Sequence, residues 1–580
     1  KKLVKMRDKR WQMKKKIPYG ISNFQRLIDE DYYYVDKTQY IEVLENFNEP
    51  YIFCLRPRRF GKSLFISVLE HYYDKNKRNV SDSLFKDLYI GNHPTPLKNS
   101  YSVLSFDFSG ISIQNEADIE QAFNQNVHST LKEFIKKNNL DFDVDISMPA
   151  ATQLHSFLKE LNTAIDTKLY VLIDEYDHFT SELLSYKQEM FETIVAKSDF
   201  FRKFFEVLKI GTKTLIDRMF ITGVNPFTLD SLTSGFNIGS DLTLHEKLNE
   251  ILGFTEEEIL TIFKIWDIDA QRVNETLPIM KKNYNGYLFA DDASTRIYNS
   301  DMVLYYLKDF LSTGKPPKEL IDENIATSYY KIRQYIHLGN LEDNLKVVND
   351  ILEGHNVYVS LTRKFDLGQH FSTSDLKSLF FYMGLLTIVD SSLGVYEMAV
   401  PNYVIKELYF VFFNELSEKE GQYRLDTLDI QLAMMKLAKA GDIASLVKLT
   451  ETTLHKLSNR DFIRFDEKYI KLIFLTYCFL SKMYYVKSEY EVADGYIDIA
   501  LLPNDIVKPP YHAIIELKYL KQEGYTEDLL KQKIEESKTQ LAKYNQAEEL
   551  SSLSNLLKFI IIFRGDECVY NGQWRDKDSE

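Results

Sequence analysis

Arg56-Pro-Arg-Arg-Phe-Gly-Lys-Ser63 decides how this chain is read. It follows the apolar run Tyr51-Ile-Phe-Cys-Leu55 and leads into Leu64-Phe-Ile-Ser-Val-Leu-Glu70, a strand–loop–helix path. In that setting Gly-Lys-Ser closes a phosphate-binding loop whose expected first glycine is replaced by Arg56. Gly61 lets the backbone approach a phosphate, with amide donors at the helix N-terminus facing it. Lys62 is placed to reach β/γ-phosphates, and the Ser63 hydroxyl to ligate Mg²⁺. Gly61, Lys62, Ser63 and Leu64, flanked by Arg58 and Arg59, are therefore the expected nucleotide contacts. The arginines Arg56, Arg58 and Arg59 either neutralise a triphosphate or pair with the chain's own acids. At least one is expected beside the phosphates, because the missing glycine leaves anionic oxygens less well covered. The competing reading is a turn before an ordinary helix, and the flanks speak against it.

Downstream, Lys168-Leu-Tyr-Val-Leu-Ile-Asp174 is a continuous apolar run of the kind a parallel strand buried on both faces needs. It ends in Asp174-Glu175. An acid there holds Mg²⁺ through water, and the next one polarises the attacking water. After the shorter strand Arg218–Gly223, Thr222 and Asn225 are candidates to sense a γ-phosphate, with a turn role for Asn225-Pro226 equally open. Asp177 is a candidate helix N-cap.

The 580 residues exceed one core and suggest about three to five domains. Hydrophobic content of 44% and charged content of 27% are those of ordinary folded protein. The net charge of −14 speaks against indiscriminate coating of nucleic acid, while a local basic groove stays compatible with it. Cys54, Cys478 and Cys568 are widely separated and form no CxxC pair, so neither a structural zinc site nor a disulfide framework is indicated. No apolar run approaches the roughly 20 residues needed to span a bilayer, and the basic start is no secretory signal. A cytoplasmic location without membrane association is expected.

The order of elements divides the chain into a basic tail (1–16), a doubly wound P-loop NTPase domain (17–287), a helical region (288–457) and a terminal α/β domain (458–580). Within the helical region, Leu385–Val389 and Tyr396–Val400 flank the turn Asp390-Ser-Ser-Leu-Gly394 between helices. This resembles a winged-helix module, which in an acidic chain is more readily a lid than a DNA reader. Leu425–Leu457 reads as a helical hairpin turning at Gly441-Asp442. The terminal segment reads as an amphipathic helix Phe465–Met483, strands Tyr484–Glu491, Gly495–Leu502 and His512–Leu520, a charged helix Thr526–Glu549, and a strand Leu557–Phe563.

On those strands Asp498, Glu516 and Lys518 form a second constellation. Glu516 and Lys518, two apart, point to one side of their strand, and Asp498 lies on its neighbour. The two carboxylates suit Mg²⁺, and the lysine suits a hydrolytic water or a developing phosphorane charge. Glu-x-Lys alone is common; the acid on the adjacent strand and the element order give it weight. Glu489 and Glu467 are both candidates for an auxiliary acid, Glu489 the preferred one. Gln540 and Tyr544, one helical turn apart, either contact the site or form a solvated face.

Taken together, these residues resemble the AAA-ATPase-like family fused to a PD-(D/E)XK nuclease domain. Tyr34-Val-Asp-Lys-Thr38, Leu172-Ile-Asp-Glu-Tyr-Asp177, Phe220-Ile-Thr-Gly-Val224, Leu252-Gly-Phe-Thr-Glu-Glu257 and Tyr284-Asn-Gly-Tyr287 carry the first half. Gly495-Tyr-Ile-Asp498, Ile515-Glu-Leu-Lys518 and Gln540-Leu-Ala-Lys-Tyr544 carry the second. The Arg-Pro-Arg-Arg loop belongs to that family. The resemblance implies ATP or another NTP, Mg²⁺ and a DNA substrate, and it allows a homo-oligomer. It points to a nuclease regulated by an ATPase-like domain, in the setting of phage defence or mobile elements. The competing class is an ATP-dependent signalling switch or scaffold whose nuclease-like domain only binds nucleic acid or a protein.

Overall fold

The structure is a computed structural model that describes residues 15–111, 116–178, 199–226, 236–323, 332–363, 365, 371–421, 427–458, 467–492, 495–544, 550 and 553–575. Most of the expected basic tail, Phe465 and the expected helix end at Glu549 lie outside the described residues. The chain forms two compact units. The first comprises the described residues up to Val347 together with Val357–Tyr403, and the second comprises Val348–Asn356 and those from Val404 onward. The residues of the expected middle region are thus shared between the two.

In the first unit, β1 (Tyr51–Leu55), β2 (Ser102–Asp107), β3 (Leu169–Asp174), β4 (Ile216–Gly223) and β5 (Ser240–Asp241) form a sheet in the order β2-β3-β4-β1-β5. Every pair in it is parallel. β3 is buried along its whole length, as its unbroken apolar run requires. The helices Glu116–Lys137 and Ala150–Ala164 link β2 to β3, and Asp199–Gly211 precedes β4. Part of the aromatic content packs here: Phe108, Phe123 and Phe204 have ring centroids 5.3–6.0 Å apart. β4 separates the loop-bearing β1 from the acidic β3. Their carboxyl ends open on one edge, where ligands of parallel sheets bind.

The same unit holds a small antiparallel sheet of β6 (Val357–Val359), β7 (Thr387–Ser392) and β8 (Val395–Ala399), in the order β6-β8-β7. The helix Thr373–Tyr382 precedes it, opened by a capping box of Ser372 and Asp375. This is the winged-helix-like arrangement. Its hairpin turn is tighter than expected: only Leu393 (φ 52°) and Gly394 (φ 80°) lie between the strands. Two positive φ values in a two-residue loop match the right-handed twist of the strands.

The second unit is built on β9 (Tyr485–Val492), β10 (Gly495–Leu502), β11 (His512–Leu520), β12 (Leu556–Arg564) and β13 (Glu567–Trp574), in the order β13-β12-β11-β10-β9. β11 and β12 are parallel, joined through the helix Glu527–Lys543; the other pairs are antiparallel. The helices Thr427–Ala440 and Ala444–Ser458 form the expected hairpin. The helix Glu467–Ser481 departs from its amphipathic reading. From Ile470 to Phe479 every residue is buried, Lys471 included, because the helix is covered on several sides. Phe479 stacks on Phe410 of the helix Tyr403–Gly421 with centroids 4.1 Å apart.

Candidate functional site

Two sites sit where the sequence places its motifs, one in each unit. In the first, β1 ends at Leu55 and the chain turns through the loop into the helix Lys62–Tyr73. Gly61 adopts φ 93° at the helix N-cap. A Cβ there would meet nothing closer than Ser300 Oγ at 3.9 Å, so the backbone conformation rather than space selects glycine. Lys62 is buried; its Nζ donates to the Pro57 carbonyl at 3.2 Å and lies 3.6 Å from Glu175 Oε1. Asp174 is hydrogen-bonded by Ser63. Burial, then the neighbouring charge of Glu175, pushes the Asp174 carboxyl up to about 6. Burial works the same way on Glu175, but Lys62 and Arg58 overcome it and hold that carboxyl below its usual value. Glu175 also has φ 51°, a left-handed conformation that non-glycine residues seldom hold without a compensating gain.

A cavity of about 470 Å³ opens in front of the loop. Arg58, Arg59, Gly61, Lys62, Ser63, Leu64 and Glu175 line it on one side, and Ile21, Leu27, Tyr33, Phe254 and Leu304 give it apolar walls. Its size and mixture suit a small polar ligand with an apolar part. Arg59 also pairs with Asp301 at 3.4 Å.

Three of the groups weighed in the sequence are committed to the fold itself. Arg56 does not face the cavity. It is 1% exposed, donates to the carbonyls of Leu55, Thr243 and Leu248 at 2.7, 2.9 and 2.5 Å, and lies over the Phe289 ring. Thr222 is equally buried and donates to the Cys54 carbonyl at 2.8 Å, so its hydroxyl is committed to the sheet. The helix that Asp177 was a candidate to cap lies outside the described residues; the Asp177 carboxylate accepts the amides of Val224 and Asn225 at 2.9 and 2.7 Å. That contact explains Gly223, where a Cβ would fall 2.3 Å from Asp177 Oδ1.

In the second unit the β10–β11 ladder pairs Ile499 with Ile515 and stops there, which sets Asp498 opposite Glu516. Beyond that point Asp498 Oδ2 accepts the Leu517 amide at 2.9 Å in place of a strand partner. Lys518 Nζ lies 2.7 Å from Glu516 Oε1 and 3.4 Å from Asp498 Oδ2, so the three expected groups meet. Glu516 is 1% exposed, and among the described residues its Oε2 meets no donor. Burial, then the charge of Asp498, pushes Glu516 up to about 7. Burial lowers Lys518, but Asp498 and Glu516 outweigh it and hold the ammonium above its ordinary range.

On the other side of β10, Ile497 pairs with Tyr490 and Ile499 with Ser488, which puts Glu489 opposite Asp498. Glu489 has φ 48° inside its strand. It forms an ion pair with Lys471, whose Nζ is also 3.9 Å from Asp498 Oδ1. Glu467, the other auxiliary-acid candidate, accepts the Tyr519 amide at 3.4 Å. Gln540 keeps a buried Oε1 that has no hydrogen-bond partner among the described residues, whereas the Tyr544 hydroxyl donates to the Tyr496 carbonyl at 2.6 Å. Lys471 is the residue the sequence reading passed over. The signal was present: a lysine four residues after Glu467, set between Ile470 and Leu472-Ile473.

The fold and the two sites define the chain's class, a nuclease-type α/β domain preceded by an ATPase-like P-loop domain. Residues 18–233 match the family described as Predicted AAA-ATPase, and residues 465–573 match the PD-(D/E)XK nuclease superfamily. The fusion that the sequence resembles is thus present in this chain. A curated relative, "Uncharacterized protein in vnfD 5'region" from Azotobacter chroococcum mcd 1, is 26% identical over 314 residues. The match covers 52% of this chain and 55% of that protein, so the chain spans about half the length of the curated relative it matches. These similarities show an ATPase-like domain and a PD-(D/E)XK nuclease-superfamily domain in one chain. Domains of these two kinds generally use a nucleotide and a divalent metal. Among the described residues no helix is long and apolar enough to cross a membrane.

Proposed function

We propose that this chain is a Mg²⁺-dependent DNA endonuclease controlled by ATP or another nucleoside triphosphate. The observation that carries this reading is the meeting of Asp498, Glu516 and Lys518 at the point where β10 and β11 part, with Glu516 Oε2 buried and without a donor among the described residues. A buried carboxylate oxygen without a donor is costly unless a cation or a proton takes it, so the residues fit a divalent ion. Asp498 and Glu516 would hold it. Once bound, such an ion neutralises phosphate charge and lowers the pKa of water. Lys518, fixed between both carboxylates, would present its remaining N–H donors to the water or to a phosphate oxygen. Gln540 Oε1 would accept a hydrogen bond from that water. Cleavage adds one water across the phosphodiester, breaks one P–O bond, and leaves a phosphate and a hydroxyl.

In the first unit Gly61, Lys62, Ser63 and Leu64, with Arg58 and Arg59, would receive the triphosphate. Ser63 and Asp174 would hold its Mg²⁺, and Glu175 would orient the attacking water. The hold of Lys62 on Glu175 favours slow, regulatory turnover over fast hydrolysis. Phage defence or mobile-element biology would use a nuclease under such control.

The test is DNA cleavage by purified chain with Mg²⁺ and nucleotide, against Asp498→Ala and Lys518→Ala. Cleavage that persists unchanged in both variants would sink the assignment. Tight DNA binding by the wild type without any cleavage would turn the reading toward a binding module.

A further inference from the structure

The acid–lysine cluster of the second unit holds one cation more than its proposed chemistry needs. Four carboxylates meet there, Glu467, Glu489, Asp498 and Glu516, against the ammonium groups of Lys471 and Lys518. Four against two leaves a formal charge of −2, which a single divalent ion balances.

The two lysines divide the carboxylates between them. Lys518 spans Glu516 and Asp498 Oδ2, whereas Lys471 spans Glu489 and the side of Asp498 Oδ1. Asp498 is therefore shared by two cations, one at each oxygen. A carboxylate shared in this way is how paired-metal phosphodiesterase sites are commonly built, with an acid on either side completing each ion's ligands. Here Glu489 is the acid that would complete a second ion, and it is occupied. Lys471 is only 8% exposed and projects from a helix buried on several sides, so it cannot turn away to solvent as a surface lysine would. Glu489 in turn holds a left-handed backbone in mid-strand, opposite Asp498. Strain of that kind persists only where the surroundings over-determine it.

We infer that Lys471 stands in for a second metal ion, so that this site takes one divalent cation, at Asp498 and Glu516, with the lysine as its fixed companion charge. This rests on the nuclease reading above and specifies its metal requirement. Lys471 acts as a positioning residue that orders Glu489 and Asp498.

The test counts Mn²⁺ bound to the full chain without nucleotide, by equilibrium dialysis or electron paramagnetic resonance. Asp498→Ala serves as the background for ions bound elsewhere. The wild type should lose one ion on Asp498→Ala. Lys471→Met should raise the count to two, and Lys471→Met combined with Glu489→Gln should return it to one. Lys471→Arg should leave it at one. Two ions in the wild type would overturn the inference while leaving the nuclease reading intact, whatever the folding of the variants. One ion in a folded Lys471→Met would also overturn it. A wild type that binds no ion at this site would remove the metal reading itself.

Discussion

The two sites are near mirror images in charge. The residues lining the P-loop cavity include four cations (Lys37, Arg58, Arg59, Lys62) and two acids (Glu175, Asp301). The nuclease-type cluster gathers four acids and two lysines. Glu258 meets Lys37 from outside the lining and Asp174 lies behind Ser63, so the surplus of cations belongs to the cavity surface. One site thus lacks an anion and the other a cation. The sign of the surplus on each lining indicates what it is shaped to receive.

That contrast can be broken most sharply at the acidic site. Asp498→Ala should lower DNA cleavage by about a thousandfold, the scale at which a metal-assisted charge term is lost. Full cleavage in that variant would mean that the chemistry lies elsewhere. At the cationic site, the two inner arginines should separate. Arg56→Ala strips three buried carbonyls of their donor and should cost about 3 kcal/mol, read as a lower denaturation midpoint. Arg58→Ala should leave that midpoint alone and weaken nucleotide binding instead. Equal loss of stability in both would erase the distinction drawn between them. Lys62→Ala should reduce nucleotide affinity by about tenfold to a hundredfold, the value of charge-assisted bonds to phosphate. An unchanged affinity in a direct titration would remove the triphosphate from the cavity.

The smallest expected effect concerns pH. Burial and Asp498 raise Glu516 to about 7 in the fold, above its ordinary value of 4.5. A carboxyl raised in this way binds its proton more tightly folded than unfolded. Its contribution is fully present below pH 4.5 and is lost as pH rises toward 7. Metal-free chain should therefore lose stability from this group over that window, and Glu516→Gln should flatten the slope. A denaturation series showing the same slope in both proteins would contradict the assignment.

Much of the frame was legible from local pattern. β3 announces itself by an unbroken apolar run ending in Asp174-Glu175, and β10 and β11 by strands that bring Asp498, Glu516 and Lys518 together. The misses share a cause, which is that direction and cover are tertiary properties. Arg56, three residues before Arg59, was weighed between phosphates and acids, yet it lies under Phe289 against backbone carbonyls. Thr222 occupies the strand end where a phosphate sensor would sit, but its hydroxyl points to the neighbouring strand. Lys471 was passed over because the helix was read as amphipathic, whereas it has no wet face from Ile470 to Phe479. β5 and β6, two and three residues long, fall below any periodicity, and β13 is a polar edge strand whose Asn571-Gly572 reads as a turn.

Arg56 also carries a lesson about reversibility. Substituting glycine would restore the general loop pattern in writing. In the folded chain it would strand the carbonyls of Leu55, Thr243 and Leu248 and leave the space beneath Phe289 unfilled. The general loop is therefore not one mutation away, since the segment Thr243–Leu248 would have to find new donors at the same moment. Because other parts of the fold lean on this arginine, the residue that fits the general pattern would be the damaging one in this chain.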